Sequence, residues 1–320
     1  MTKVRNYYHP TNPTLWQGRK DSLPGESFFH HVRCTDLHSE ALKTAQNEHV
    51  MVGFCSDEGI RRNEGRVGAK EGPLKLRELL AKTTCHNQKQ FIDIGNIVCE
   101  ADDLEGAQAQ FAELIHLSHQ KGYKTLAFGG GHEIAWGHFC GLASHYPKLG
   151  IINFDAHFDL RAPDSEHNGT SGTPFYQIAA YCAKQNRPFD YCCLGIQPYA
   201  NSDHLFLKAK ELQVHTLFAE QIRQESFLWQ KAFLDHFLQQ QEHLYLSICL
   251  DVLAESFAPG VSAPQAMGLT PWQMAPLLKY ILQTGKVVSI DIAELSPPLD
   301  EGVKTARLAA NLLAELLNYF

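Results

Sequence analysis

Eight short runs of apolar residues, rich in β-branched and aromatic side chains, recur along this chain, and several are apolar throughout instead of alternating with polar residues. They span 49–54, 91–94, 125–128, 150–154, 191–195, 214–218, 244–250 and 287–292. A strand buried on one face alternates; a strand buried on both does not. The runs therefore predict central parallel strands with helices above and below. Amphipathic stretches lie between them. Leu104, Ala107, Phe111, Leu114 and Leu117 share one helical face, as do Ala306, Ala310, Leu313 and Leu317, and 227–241 carries Phe233, Phe237 and Leu238. This alternation predicts an α/β three-layer sandwich with a mainly parallel sheet of about eight strands. No linker or repeat divides the chain, so 1–320 reads as one domain, with an irregular segment at 1–45 as a lid or edge. The polar, glycine-rich stretch 55–72 reads as a functional loop.

Net charge is −7, from 28 basic and 35 acidic residues, which disfavours nucleic acid and anionic membranes as partners. The first residues lack a signal-peptide pattern, and no apolar run reaches the roughly 18 residues of a membrane span. Nine cysteines, an odd number with no Cys-x-x-Cys pair, suit a reducing cytoplasm better than a disulfide framework.

Chemistry concentrates at the ends of strands. Ile151-Ile152-Asn153-Phe154 runs straight into Asp155-Ala156-His157-Phe158-Asp159. In extended geometry, residues two apart point the same way, so Asp155, His157 and Asp159 converge. Gly129-Gly130-Gly131-His132-Glu133 follows another strand, and three glycines let the backbone approach a cluster and deliver His132 into it. Cys249 and Asp251 alternate at a third strand end, and Asp291 and Glu294 stand at a fourth. Buried carboxylates are costly without partners, so four such ends point to one shared site beyond the carboxyl edge of the sheet. His132, Asp155, His157, Asp159, Cys249 and Asp251 exceed the needs of one tetrahedral ion. They fit two divalent ions about 3.5–4 Å apart that supply hydroxide near neutral pH. Carboxylate and imidazole donors suit Mn²⁺, with Zn²⁺, Fe²⁺ or Co²⁺ as substitutes.

In this order, Gly-Gly-Gly-His-Glu, Asp-Ala-His-x-Asp, Ser-x-x-x-Asp-Val with Ala-Pro-Gly, and Ser-x-Asp-x-x-Glu resemble the arginase/agmatinase (ureohydrolase) superfamily over nearly the whole chain. Trp16-Gln17-Gly18-Arg19, Gly53 to Gly59, Arg62 to Gly68, Asp159-Leu160-Arg161, Ser171 to Phe175 and Ala258 to Pro264 resemble its formimidoylglutamase branch. The resemblance implies an arginase-like fold, two Mn²⁺ per subunit and hydrolysis of N-formimidoyl-L-glutamate, a small molecule from histidine degradation, to L-glutamate and formamide. It implies that His132, Asp155, Asp159 and Cys249 serve one ion, and Asp155, His157, Cys249 and Asp251 the other. Glu294 would meet the amidine nitrogens, orienting a planar cation by paired hydrogen bonds. Relatives form trimers or hexamers; a homo-oligomer stays open here, since no heptads or apolar stripe decide it.

Two residues depart from the usual superfamily pattern. Cys249 stands where most members place a bridging aspartate, leaving two readings: a soft metal ligand, or a packed spectator. A disulfide from it to Cys34 or Cys55 would remove a ligand. Ser171 stands where agmatinase-like chains carry a proton-shuttling histidine, which leaves His167, a water, Glu294 or no shuttle at all. The substrate's two carboxylates call for cations, and Arg161, then Arg62 and Arg66, are the candidates. The competing readings are agmatinase, guanidinobutyrase or zinc deacetylase chemistry on the same scaffold, and a metal-depleted binding protein.

Overall fold

The computed structural model describes residues 7–35, 49–87, 89–165 and 168–320. Its strands are β1 (Tyr8–His9), β2 (Val32–Cys34), β3 (His49–Cys55), β4 (Phe91–Val98), β5 (Lys124–Phe128), β6 (Leu149–Phe154), β7 (Tyr191–Ile196), β8 (His215–Phe218), β9 (His243–Cys249) and β10 (Val287–Ala293). Its α-helices are α1 (Glu58–Arg62), α2 (Gly72–Ala81), α3 (Leu104–Gln120), α4 (Ile134–Ala143), α5 (Pro174–Lys184), α6 (Asp203–Glu211), α7 (Ala219–Gln224), α8 (Phe227–Leu238), α9 (Pro271–Gln283) and α10 (Lys304–Leu316). Each of the eight apolar runs forms a strand. The two further strands come from the region without periodicity: β1 pairs antiparallel with Asn96 and Ile97, and β2 parallel with Phe91 to Asp93. Strands of two and three residues are too short to print a period on the sequence, so about eight were expected where ten occur. Within 55–72, α1 breaks what reads as continuous loop.

The sheet order is β1-β4-β3-β5-β10-β9-β6-β7-β8, with β2 also on β4. The β3-to-β8 pairings are all parallel, so these strands end along one edge. One apolar cluster joins α2, α8, α9 and α10 to one face through Leu76, Phe237, Leu278 and Leu313. A second joins α3 to α6 to the other through Phe111, Phe139, Phe175 and Leu205. Burial on both faces is what the unalternating strands require. The result is the three-layer sandwich expected. Among the described residues no helix is long and apolar enough to cross a membrane.

The N-terminal residues are tied to the sheet by a buried ion pair. Arg77 of α2 meets Asp93 of β4 through Nε (2.7 Å) and Nη2 (2.9 Å), and both side chains are fully buried. Asp93 also accepts from Trp16 Nε1 (2.7 Å) and Thr11 Oγ1 (2.8 Å). Arg77 donates further to Asn96 Oδ1 and to the carbonyls of Pro73 and Gly95. Every polar contact needed to hold two charges inside is therefore present.

Candidate metal centre and active site

The four strand ends that carry chemistry belong to β5, β10, β9 and β6, which are consecutive neighbours at the middle of the sheet. The triglycine after β5 is stitched to both flanking strands. Gly129 N donates to Ile292 O (2.7 Å), Gly131 N to Ser56 O (2.9 Å), and Glu294 N to Gly130 O (2.8 Å). A Cβ on Gly130 would lie 1.7 Å from the Ser56 carbonyl oxygen, so only glycine allows this approach. His132 N then donates to Glu294 Oε1 (2.9 Å).

The Asp155–Asp159 run converges as expected, but not as an extended strand. β6 stops at Phe154, and Asp159 takes a left-handed backbone (φ 49°), as does Glu294 (φ 71°). Non-glycine residues rarely adopt this region, and such strain gathers at functional sites. Asn201 braces the turn, accepting from Phe158 N (3.0 Å) and donating to Ala156 O (2.9 Å). Asp251 likewise lies in a 3-10 turn just past β9 instead of extending it.

His132 Nδ1 is 3.0 Å from Asp155 Oδ2 and 2.9 Å from Asp159 Oδ2, and His157 Nδ1 is 3.2 Å from Asp251 Oδ2. Two donor sets close on themselves: His132, Asp155 and Cys249, and Asp155, His157 and Asp251, each with ligand atoms within 4.8 Å of one another. Asp155 belongs to both. A buried carboxylate shared between two clusters can bridge two cations.

The electrostatics of the donor set suit a cation, because buried carboxylates there repel one another. Burial pushes the carboxyl groups of Asp159 and Asp251 up, and the charge of Asp155 adds to each; burial and then Asp251 and Glu133 do the same to Glu294. Burial raises the Cys249 thiol, and the surrounding carboxylates raise it further. Burial opposes protonation of His132 and His157, but their carboxylate neighbours outweigh it and raise both. His132 Nδ1 and Glu294 Oε2 are buried with no hydrogen-bond partner. Divalent cations would invert each of these tendencies, stabilising carboxylates, thiolate and neutral imidazole together. The donor set thus fits a metal pair.

Above it opens a cavity of about 320 Å³, lined by His132, His157, Asp159, Cys249, Asp251 and Glu294 at its floor. Arg161, Arg66 and Ser171 line its wall. The Arg161 guanidinium makes no hydrogen bond or ion pair among the described residues, whereas Arg66 is held by the carbonyls of Val261 (2.7 Å) and Ser262 (3.0 Å). Arg62 is not brought to the cavity. Its guanidinium is engaged by Glu58 (2.8 Å) and Glu105 (2.6 Å), partners whose approach the sequence does not reveal. Ser171 Oγ accepts from Asn63 Nδ2 (3.3 Å), and Asn63 and Asn201 are cavity residues that the sequence reading did not single out. Both sit on loops, where no periodicity marks a side chain as facing a ligand. His167 lies outside the described residues.

Asp291 does not join the floor; it is buried beneath it, against Ser247 and His138. The disulfide between Cys249 and Cys34 or Cys55 is also set aside. Cys55 ends β3, three strand spacings from β9, or roughly 14 Å, and Cys34 is five spacings away. A disulfide needs Cα atoms within about 7 Å. All nine cysteines are free.

The arginase family model matches residues 47–318. The chain is 58% identical to a formimidoylglutamase of Legionella pneumophila subsp. pneumophila (strain Philadelphia 1) over 311 residues, 97% of each protein. It is 41% identical to one from Ralstonia nicotianae over 317 residues, 96% of this chain and 95% of the relative. Among solved structures it resembles Trypanosoma cruzi formiminoglutamase with Mn²⁺, at 26% identity and a TM-score of 0.76, covering 87% of this chain and 96% of that one. With the matched region spanning β3 to β10 and all four strand ends of the donor set, the chain belongs to the arginase family.

Proposed function

We propose that this protein is a metal-dependent amidine hydrolase that cleaves N-formimidoyl-L-glutamate to L-glutamate and formamide, with 1–320 serving as one ureohydrolase domain. Likeness to formimidoylglutamases over nearly the full length carries this reading, and the chemistry of the cavity agrees with it. His132, Asp155, Asp159 and Cys249 would hold one Mn²⁺, and Asp155, His157, Cys249 and Asp251 a second. When bound, the pair supplies hydroxide near neutral pH and stabilises developing negative charge. Glu294 keeps one oxygen on His132 N and has the other free for the substrate's amidinium. Arg161, which has no partner among the described residues, takes a substrate carboxylate, and Arg66 is a second cation on the same wall. The free thiols suit a reducing cytosol, where we place the enzyme.

The direct test is glutamate release from formimidoylglutamate by the Mn²⁺-loaded protein. Turnover of agmatine without such release would sink the substrate assignment while keeping the family. Arg161→Gln is expected to raise KM about 10- to 100-fold with little change in kcat, as loss of one charge-assisted hydrogen bond made equally in ground and transition states requires. An unchanged KM would remove Arg161 from substrate binding.

A further inference from the structure

Asp291 is fully buried under the metal centre and the reaction does not use it. The sheet register places it opposite Ser247 on β9, two residues before Cys249. Its carboxylate receives three hydrogen bonds: from Ser247 Oγ to Oδ1 (2.6 Å), and from His138 Nδ1 (2.7 Å) and the Tyr245 hydroxyl to Oδ2. His138 is in turn contacted at Nε2 by Ser289 Oγ (2.5 Å). Ser247, Tyr245, His138 and Ser289 are all buried.

Proton accounting through this cluster has one solution at its upper end. An ionised carboxylate only accepts, so Ser247 spends its single proton on Asp291. Ser247 Oγ also lies 2.9 Å from His132 Nε2, and with its proton committed it accepts there. His132 must therefore carry a proton on Nε2, which leaves Nδ1, on the side of Asp155 and Asp159, as the nitrogen a metal ion would take. We propose that Asp291, acting through Ser247, is a positioning residue that fixes the tautomer and ring orientation of His132 for metal binding. A ligating imidazole whose other nitrogen is anchored to a carboxylate is more basic and better aimed, and losing the anchor costs about 10- to 100-fold in metal affinity. Tyr245 and His138 hold Asp291 in place, so the anchor does not swing.

The inference rests on the metal reading above, and two readouts separate their failures. The first needs no metal. Histidine-selective ¹⁵N spectra of the metal-free protein should show a proton on His132 Nε2 engaged in a hydrogen bond, and Ser247→Ala should abolish that hydrogen bond. A His132 with Nε2 unprotonated in the parent protein overturns the proposal whatever metal binds. The second is Mn²⁺ titration of the metal-free chain followed by electron paramagnetic resonance. Ser247→Ala and Asp291→Asn should each weaken one of the bound ions about 10- to 100-fold, and the double variant should be no worse than the weaker single. Binding curves that superimpose on the parent, or losses that add, overturn it, because residues acting through one link are not additive. If Asp291→Asn does not fold, Ser247→Ala decides alone by both readouts. A parent protein that binds no Mn²⁺ at all would instead overturn the metal reading.

Discussion

Asp155→Asn is expected to lower kcat/KM about a thousandfold, equivalent to roughly 4 kcal/mol of lost transition-state stabilisation. Asp155 is the carboxylate shared by the two geometric clusters, so its loss would reach both of the proposed ions at once. The variant should also lose stability. Burial opposes the charge on Asp155, but His132 and His157 outweigh it and hold its carboxyl below the ordinary range, while that charge in turn raises both imidazoles. The metal-free variant should then melt below the parent near neutral pH, despite relief of the repulsion on Asp159 and Asp251, and the stabilisation that Mn²⁺ confers on the parent, about 2.7 kcal/mol at a hundred times Kd, should disappear. Thermal melts with and without Mn²⁺ check this. A variant that is less stable without metal yet still stabilised by it would make Asp155 a structural residue.

Arg77→Met is expected to cost about 3–5 kcal/mol of folding stability, because it leaves the Asp93 charge buried with no cation. The lesion lies in α2 and β4, so it is a test of the scaffold and not of the chemistry. Trp16 and Thr11 still donate to Asp93, but neutral donors do not offset a full desolvated charge. Arg77→Met combined with Asp93→Leu should recover much of the loss, since apolar pairs of similar volume often replace buried ion pairs without penalty. The urea midpoint measures it; a single variant within 1 kcal/mol of the parent would show that water reaches Asp93.

Much of this was legible because the sheet buries both faces and places its reactive groups directly after its strands. Phe154 followed by Asp155, and Phe128 followed by the triglycine and His132, announce strand and site together. What the sequence could not convey was lateral order. Cys55 and Cys249 look equally free to meet until β5 and β10 are found between them. Asp291 ends a strand like the others, but alternation does not say which of two faces a residue takes, and it faces Ser247 and His138 beneath the floor. Arg62 lies only four residues before Arg66, but it ends α1, where Glu58 and Glu105 of α3 hold it away from the cavity.

The stitching of the triglycine to Ser56 and Glu294 has an evolutionary consequence. His132 and Glu294 are joined at the sheet edge, through Glu294 N to Gly130 O and through His132 N to the Glu294 carboxylate, whereas Arg161, Arg66 and Asn63 lie on loops around the cavity. On the roles proposed above, reaction and substrate choice occupy separable parts of the molecule. Descendants of such a scaffold can exchange one amidine for another by redrawing the rim, with the hydrolytic block inherited intact.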